Sequence, residues 1–82
     1  AIIQRGDDSW LVDGQYPFYE FVQYFHIPDT DQVEGFTTIG GLILHLLQRF
    51  PATGEKIRWK AFEFEIVDMD DQRIDKVLVT MI

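Results

Sequence analysis

A two-residue alternation near the end of the chain constrains the fold more than any other feature. Phe62, Phe64 and Ile66 alternate with Glu63 and Glu65. Successive side chains of a strand point to opposite faces of a sheet, so this pattern predicts a strand with one buried and one solvated face. Another part of the chain must then cover the apolar face.

Two segments have the helical spacing needed for that cover. The first follows Pro17, which suits the start of a helix, and ends before Pro28. The second begins near a Thr37 or Thr38 cap and ends at Pro51 and Gly54. The apolar stripe of the first helix comprises Phe18, Phe21, Val22 and Phe25, and that of the second comprises Ile39, Leu42, Ile43, Leu46, Leu47 and Phe50.

The remaining segments are predicted strands. Residues 1–5 and 9–14 form a hairpin. Residues 55–69 and 73–82 are extended, with either a hairpin turn or a continuous bent strand between Trp59 and Phe62. The predicted order is β-β-α-α-β-β-β, an α+β fold in which two helices cover one face of a small antiparallel sheet. At 82 residues, the chain 1–82 is expected to be a single domain.

Charge and composition exclude several function classes. Fourteen acidic and seven basic residues give a net charge of -7, which opposes binding to nucleic acid and direct contact with anionic lipid. The chain has no cysteine, so thiolate chemistry is excluded. Its longest apolar run is shorter than the roughly 20 residues of a membrane span, and we expect this fragment to be soluble.

Gly40 and Gly41 lie in the first turn of the second predicted helix. Helix starts attract anions, but neither a P-loop nor a Rossmann spacing surrounds this pair, and the preceding segment carries Asp29, Asp31 and Glu34. We favour close packing, with the glycine pair as a contact between the helix and neighbouring backbone. The alternative is a site in which Gly40 and Gly41 hold the phosphates of FAD or an adenine nucleotide.

The turn containing Asp68, Asp70 and Asp71 is a candidate divalent-cation site. Its spacing does not match the EF-hand pattern. We therefore favour carboxylates that are solvated in a turn, with a divalent-cation sensor as the alternative.

His26 and His45 lack a matched carboxylate pair, and surface or capping roles are favoured for them. No nucleophile or acid–base set indicates catalysis, so we expect no enzyme activity.

Three aromatic residues fall outside the predicted inner faces: Tyr19, Tyr24 and Trp59. Large apolar groups left on a surface mark partner sites. We therefore predict an interaction surface formed by these three side chains.

An ordered set of short motifs resembles the transporter-associated domain of the CorC/HlyC family. It comprises Val12-Asp13-Gly14, Gly41-Leu42, Pro51 with Gly54-Glu55, Phe62 with Phe64, and Arg73-Ile74. Two features depart from the family pattern. Phenylalanines replace the usual leucines of the first helix, and Lys60-Ala61 stands where a glycine turn is common.

The resemblance implies a C-terminal piece of a longer protein, following a membrane domain and a pair of CBS domains at the cytoplasmic face. It implies a non-enzymatic regulatory or interaction domain that modulates ion transport, as in haemolysin-like and magnesium/cobalt efflux proteins. Neighbouring CBS and membrane domains are then the expected partners. A homodimer through exposed sheet edges is also expected. The family fold is similar to part of FAD-binding domains, which is the origin of the flavin alternative.

Overall fold

The computed structural model describes residues 2–28 and 35–82. Within them the element order is the predicted one. The elements are β1 (Ile2–Gln4), β2 (Ser9–Asp13), α1 (Phe18–Tyr24), α2 (Ile39–Leu47), β3 (Lys56–Trp59), β4 (Phe62–Asp70) and β5 (Arg73–Met81). This confirms the predicted α+β class.

The strands form one antiparallel sheet in the order β1-β2-β5-β4-β3. Val12, Val77 and Ile66 lie side by side across its three central strands, and all three are fully buried. The alternation read from β4 therefore marks the core face. Strands β1 and β3 are the sheet edges, and the homodimer expected through them stays a prediction.

A two-residue turn of Lys60 and Ala61 joins β3 to β4. Trp59 and Phe62 are direct partners across this hairpin, and Lys60 adopts a left-handed φ of 55°. The chain thus turns at this point, and the bent-strand alternative is wrong. Of the two turn residues, Lys60 is the one with a positive φ, a conformation that is uncommon for residues other than glycine.

The two helices cover one face of the sheet, as predicted. Phe18 and Phe21 of α1 are buried, and so are Ile39, Leu42 and Ile43 of α2. Among the described residues, eleven ring contacts have centroids within 6.5 Å, many of them edge-to-face across this layer. Phenylalanine at the inner positions of α1 thus packs the space between helix and sheet.

The end of the second apolar stripe differs from the prediction. Helix α2 ends at Leu47 because Gln48 adopts a left-handed φ of 60°, with its amide bonded to the carbonyl oxygen of Leu44. Leu46 and Phe50 are consequently 39% and 56% exposed rather than buried. They are apolar surface and not core.

Neither helix in the described parts of the chain has the length and apolar character needed to cross a bilayer.

Candidate functional site

The start of α2 lies against the end of β2, and this contact decides the role of the glycine pair. The amide of Gly40 donates to the carbonyl oxygen of Gly14 at 2.8 Å, and the amide of Ile39 donates to that of Tyr16 at 3.0 Å. Helix-start amides have no partner within their own helix. Here the segment after β2 supplies the acceptors.

The third amide of this turn is capped locally. The hydroxyl of Thr38 accepts a hydrogen bond from the amide of Gly41 at 3.0 Å, the usual role of an N-cap threonine. The amide of Leu42 then begins the regular helical bonding, with the carbonyl oxygen of Thr38 as its acceptor.

These bonds contradict the nucleotide interpretation of Gly40 and Gly41. A phosphate at a helix start is held by backbone N–H groups that have no protein acceptor. Both glycine amides already donate within the protein, so a phosphate would have to displace Gly14 or Thr38. The acidic residues predicted to flank the approach, Asp29, Asp31 and Glu34, lie outside the described residues.

Close packing is the role that the geometry supports for the glycine pair, and the two glycines meet different neighbours. A Cβ atom on Gly40 would lie 2.9 Å from the carbonyl oxygen of Gly14. One on Gly41 would lie 2.9 Å from the Cβ of Phe36 and 3.2 Å from the Thr38 hydroxyl. The helix therefore meets neighbouring backbone at Gly40, and Gly41 meets mainly side chains.

The acidic turn between β4 and β5 does not gather ligands as a metal site would. Asp70 accepts a hydrogen bond from Arg73 at 2.9 Å, Asp68 lies opposite Lys76, and Asp71 occupies the turn with a φ of 60°. In residues 2–28 and 35–82, no three His, Asp or Glu side chains form a group able to hold a metal ion. The described residues do not fit a resident metal, and a cation role for Asp68, Asp70 and Asp71 stays a prediction.

The histidines lie apart from these carboxylates. His26 follows α1 with a left-handed φ of 53° and is exposed. His45 is exposed on α2, and its ring lies 5.3 Å from that of Phe36. The surface roles favoured from the sequence fit both positions.

Two of the three predicted surface aromatics are exposed. Tyr19 is 65% exposed and Tyr24 is 49% exposed on the outside of α1. Tyr16 lies at the start of the same helical layer and is half-buried. Burial raises the pKa of Tyr16, and the charges of Glu20 and Tyr24 add to that rise.

Trp59 lies on the inner face of the sheet, contrary to the prediction. Its ring lies 5.7 Å from that of Phe18 and 6.1 Å from that of Phe64. In one continuous alternating strand, Trp59 and Phe62 would lie on opposite faces. A two-residue turn instead makes them cross-strand partners, which share a face.

An apolar groove of about 390 Å³ lies between the end of α1, the β3–β4 turn and the end of β5. Phe25, Phe62 and Met81 supply much of its apolar lining, and His26 and Lys60 also border it. Sequence reasoning missed this groove because it joins three segments that are far apart in the chain. The only signal was Lys60-Ala61, noted as a departure from the family pattern.

The surface ion pairs have structural roles. Arg49 forms a two-point contact with Glu55, which also accepts from the amide of Ala52 at 3.1 Å. The Arg49 contact and then the Ala52 bond lower the pKa of Glu55. On the outer sheet face, Lys76 donates to Asp13 at 3.0 Å, and this bond is the main cause that raises the pKa of Lys76.

Comparison with known proteins assigns the chain to a family. The model of the CorC_HlyC family, described as the transporter associated domain, matches residues 3–82. The chain belongs to this family. Its family resemblance, inferred from the ordered motifs, is thereby confirmed.

Curated relatives of this transporter-associated domain are longer proteins. The polyamine export protein of Escherichia coli K12 is 35% identical over 81 residues, which is 99% of this chain and 18% of that protein. The chain therefore spans about a fifth of the length of the curated relatives it matches.

Solved structures of the same family share the fold. The transporter-associated domain of a Xylella fastidiosa Temecula1 hemolysin, solved in complex with Mg²⁺ and Mn²⁺, is 31% identical, with a TM-score of 0.85 over 99% of this chain and 96% of that one. The corresponding domain of a CBS domain protein from Porphyromonas gingivalis is 25% identical, with a TM-score of 0.83 over 98% of this chain and 95% of that one. The predicted fold is confirmed by these likenesses.

Proposed function

We propose that this chain is a non-catalytic interaction domain through which a longer, membrane-associated export protein regulates the transport of cations. Membership of the transporter-associated family supports the proposal. The E. coli relative is named for polyamine export, and polyamines, like Mg²⁺, are cationic. The domain would act on the transporter's conformation and not as the route of transport.

The observation that carries an interaction role is the exposure of Tyr19 and Tyr24 on the outside of α1. Phe18 and Phe21 of the same short helix are buried in the core. One face of α1 is thus held rigidly on the sheet while the other presents two aromatic rings. Tyrosine and other aromatics are enriched in protein interfaces because they bury a large area at a small cost in side-chain entropy.

A regulatory effect follows if the neighbouring domains have more than one arrangement. A surface that binds one arrangement more tightly shifts the population towards it. The CBS domain protein from P. gingivalis, which contains a related domain, supports CBS domains as the neighbours. We therefore place the proposed contact between the outer face of α1 and an adjacent domain of the same protein.

The roles of the other candidate residues support an interaction domain over a nucleotide-binding one. The amides of Gly40 and Gly41 are engaged with Gly14 and Thr38, so they serve packing. Asp70 is paired with Arg73. Among the three candidate aromatic residues, Tyr19 and Tyr24 are exposed to solvent, whereas Trp59 is half-buried.

The test uses the full-length protein that carries this domain, in cells lacking the native copy. Export of polyamine and of Mg²⁺ is measured for the intact protein, a deletion of the domain, and the double variant Tyr19→Ala/Tyr24→Ala. Gln23→Ala, which changes another exposed side chain of α1, is the matched control. Abundance in the membrane fraction is measured for every variant.

We expect the deletion and the tyrosine variant to change the rate or substrate dependence of export at unchanged abundance, and Gln23→Ala to leave both unchanged. Unaltered export in the deletion would refute a regulatory role. Altered export in the deletion together with normal export in the tyrosine variant would refute the assignment to α1.

A further inference from the structure

The groove beside the β3–β4 turn has the form of a small-molecule site. Its volume of about 390 Å³ falls in the usual range for ligand pockets, roughly 300 to 1,000 Å³. Phe25 comes from the end of α1, Phe62 from the start of β4 and Met81 from the end of β5. Three elements of the core therefore hold its apolar walls in place.

Two residues that line the groove carry nitrogen donors on their side chains. Lys60 carries an ammonium group, and the imidazole of His26 carries an N–H. Of the described residues that line the groove, none is acidic.

Lys60 is not among the cationic residues that pair with a carboxylate in the described parts of the chain. Arg49, Arg73 and Lys76 form such pairs, whereas the ammonium group of Lys60 lies 5.6 Å from the centroid of the Trp59 ring. Because Lys60 also lines the groove, its ammonium group is the candidate partner for an anionic ligand there.

We propose that this groove binds a small amphipathic anion, a medium-chain carboxylate whose apolar body lies against Phe25, Phe62 and Met81 and whose head group meets Lys60. The apolar walls supply burial, and a carboxylate at an ammonium group forms a charge-assisted hydrogen bond. A cavity of this volume holds one small molecule, whereas a protein partner needs an interface of about 1,000 Å² or more. The site adjoins the interaction surface on α1, since the ring of Tyr24 lies 4.8 Å from that of Phe25. A ligand site there goes beyond the proposed regulatory function.

Two tryptophans give the site an intrinsic signal. Trp59 precedes Lys60 and lies under its ammonium group. The ring of Trp10 lies 4.9 Å from that of Phe25, which lines the groove. Occupation of the groove is therefore expected to change tryptophan fluorescence.

The experiment titrates the protein with monomeric decanoate, using tryptophan fluorescence and calorimetry. Decyltrimethylammonium and decanol carry similar apolar chains with a positive and a neutral head, and spermidine carries charge without an apolar chain. We expect decanoate to bind at a single site, decanol more weakly, and neither cation to bind there.

Three variants test the assignment of the head group. Lys60→Gln is expected to weaken decanoate binding about tenfold, the effect of losing about 1.4 kcal/mol from a charge-assisted bond, and Lys60→Arg to retain it. Lys56→Gln removes a lysine from the outer end of the same hairpin and is expected to bind decanoate as the unchanged protein does.

Met81→Glu, which places a carboxylate in the groove wall, gives a second test whose outcome does not depend on the turn. It is expected to abolish binding.

Several results would overturn the proposal. One is binding of decyltrimethylammonium as tight as that of decanoate, and another is an equal loss of decanoate binding in Lys60→Gln and Lys56→Gln. A third is decanoate binding that survives Met81→Glu in a folded protein. A fourth is binding only to vesicles that contain phosphatidylglycerol. Circular dichroism confirms that each variant is folded. Export assays of the tyrosine variants are independent of all these outcomes.

Discussion

Gly40 and Gly14 join the start of α2 to the end of β2 through a backbone hydrogen bond. The Gly40 amide donates to the Gly14 carbonyl oxygen at 2.8 Å, and a Cβ atom on Gly40 would lie only 2.9 Å from that oxygen. Because glycine has no Cβ, the backbone of residue 40 can come close enough to Gly14 for this hydrogen bond to form. A bulkier residue has to move the helix or lose the hydrogen bond.

Gly40→Ala is expected to lower the free energy of unfolding by about 1 to 2 kcal/mol. Overpacking costs about 1 to 3 kcal/mol, and the better helix propensity of alanine offsets up to about 1 kcal/mol of it. Gly41→Ala is the second variant. Its Cβ would lie 2.9 Å from the Cβ of Phe36, an atom that moves only with the Phe36 backbone, so we expect a loss of similar size there and a larger loss with Gly41→Leu. Urea denaturation measures all three, and a stabilised Gly40→Ala protein would contradict the packing role.

Thr38→Ala is expected to destabilise the protein by about 1 kcal/mol because the Gly41 amide loses its capping acceptor. Thr37→Ala serves as the control, since the side chain of Thr37 is exposed and only its backbone oxygen bonds to Phe18. Thermal unfolding followed by circular dichroism compares the two. Equal melting temperatures would show that the cap does not contribute.

Trp59→Ala is expected to cost about 2 kcal/mol, less than the roughly 3 to 5 kcal/mol of a fully buried aromatic residue, because Trp59 is half-buried. Tyr24→Ala, at an exposed position, is expected to change stability by no more than about 0.5 kcal/mol. The comparison separates a core role for Trp59 from the surface role predicted from sequence. An unchanged stability of Trp59→Ala would contradict the core role and support the surface role predicted from sequence.

The contact between Arg49 and Glu55 is expected to make stability depend on acid. Because the pKa of Glu55 is lower in the folded protein, its stabilising effect is full above its unfolded-state pKa, near 4.3, and is lost as the pH falls through the folded value. Urea midpoints of the unchanged protein and Glu55→Gln, measured from pH 7 to pH 3, should therefore converge on the acid side. A difference that stays constant across that range would contradict the lowered pKa.

Mg²⁺ and Mn²⁺ are expected to raise the melting temperature no more than KCl at matched ionic strength, since the described residues form no three-ligand group. The complex of the related Xylella domain with both metals makes this a necessary measurement. A specific rise that disappears in Asp68→Asn or Asp71→Asn would restore the cation site predicted from sequence. Asp75→Asn, an acid nearby on β5, is the control.

Local patterns predicted the elements well because each depends on neighbouring residues. The alternation of Phe62, Phe64 and Ile66 identified the core face of β4, and the spacing of Phe18 and Phe21 identified α1. The end of α2 was missed since Gln48 adopts the left-handed conformation usually taken by glycine. The face of Trp59 was missed because a two-residue turn resets the alternation.

The sequence alone determined the α+β class, the order of the elements and the family, since periodicity and ordered motifs are properties of the chain. Only the tertiary structure decided that the Gly40 amide is engaged by Gly14, and that Phe25, Lys60 and Met81 border one groove. Those contacts join residues far apart in the chain. Their geometry is set by how the helices pack on the sheet, which no local pattern specifies.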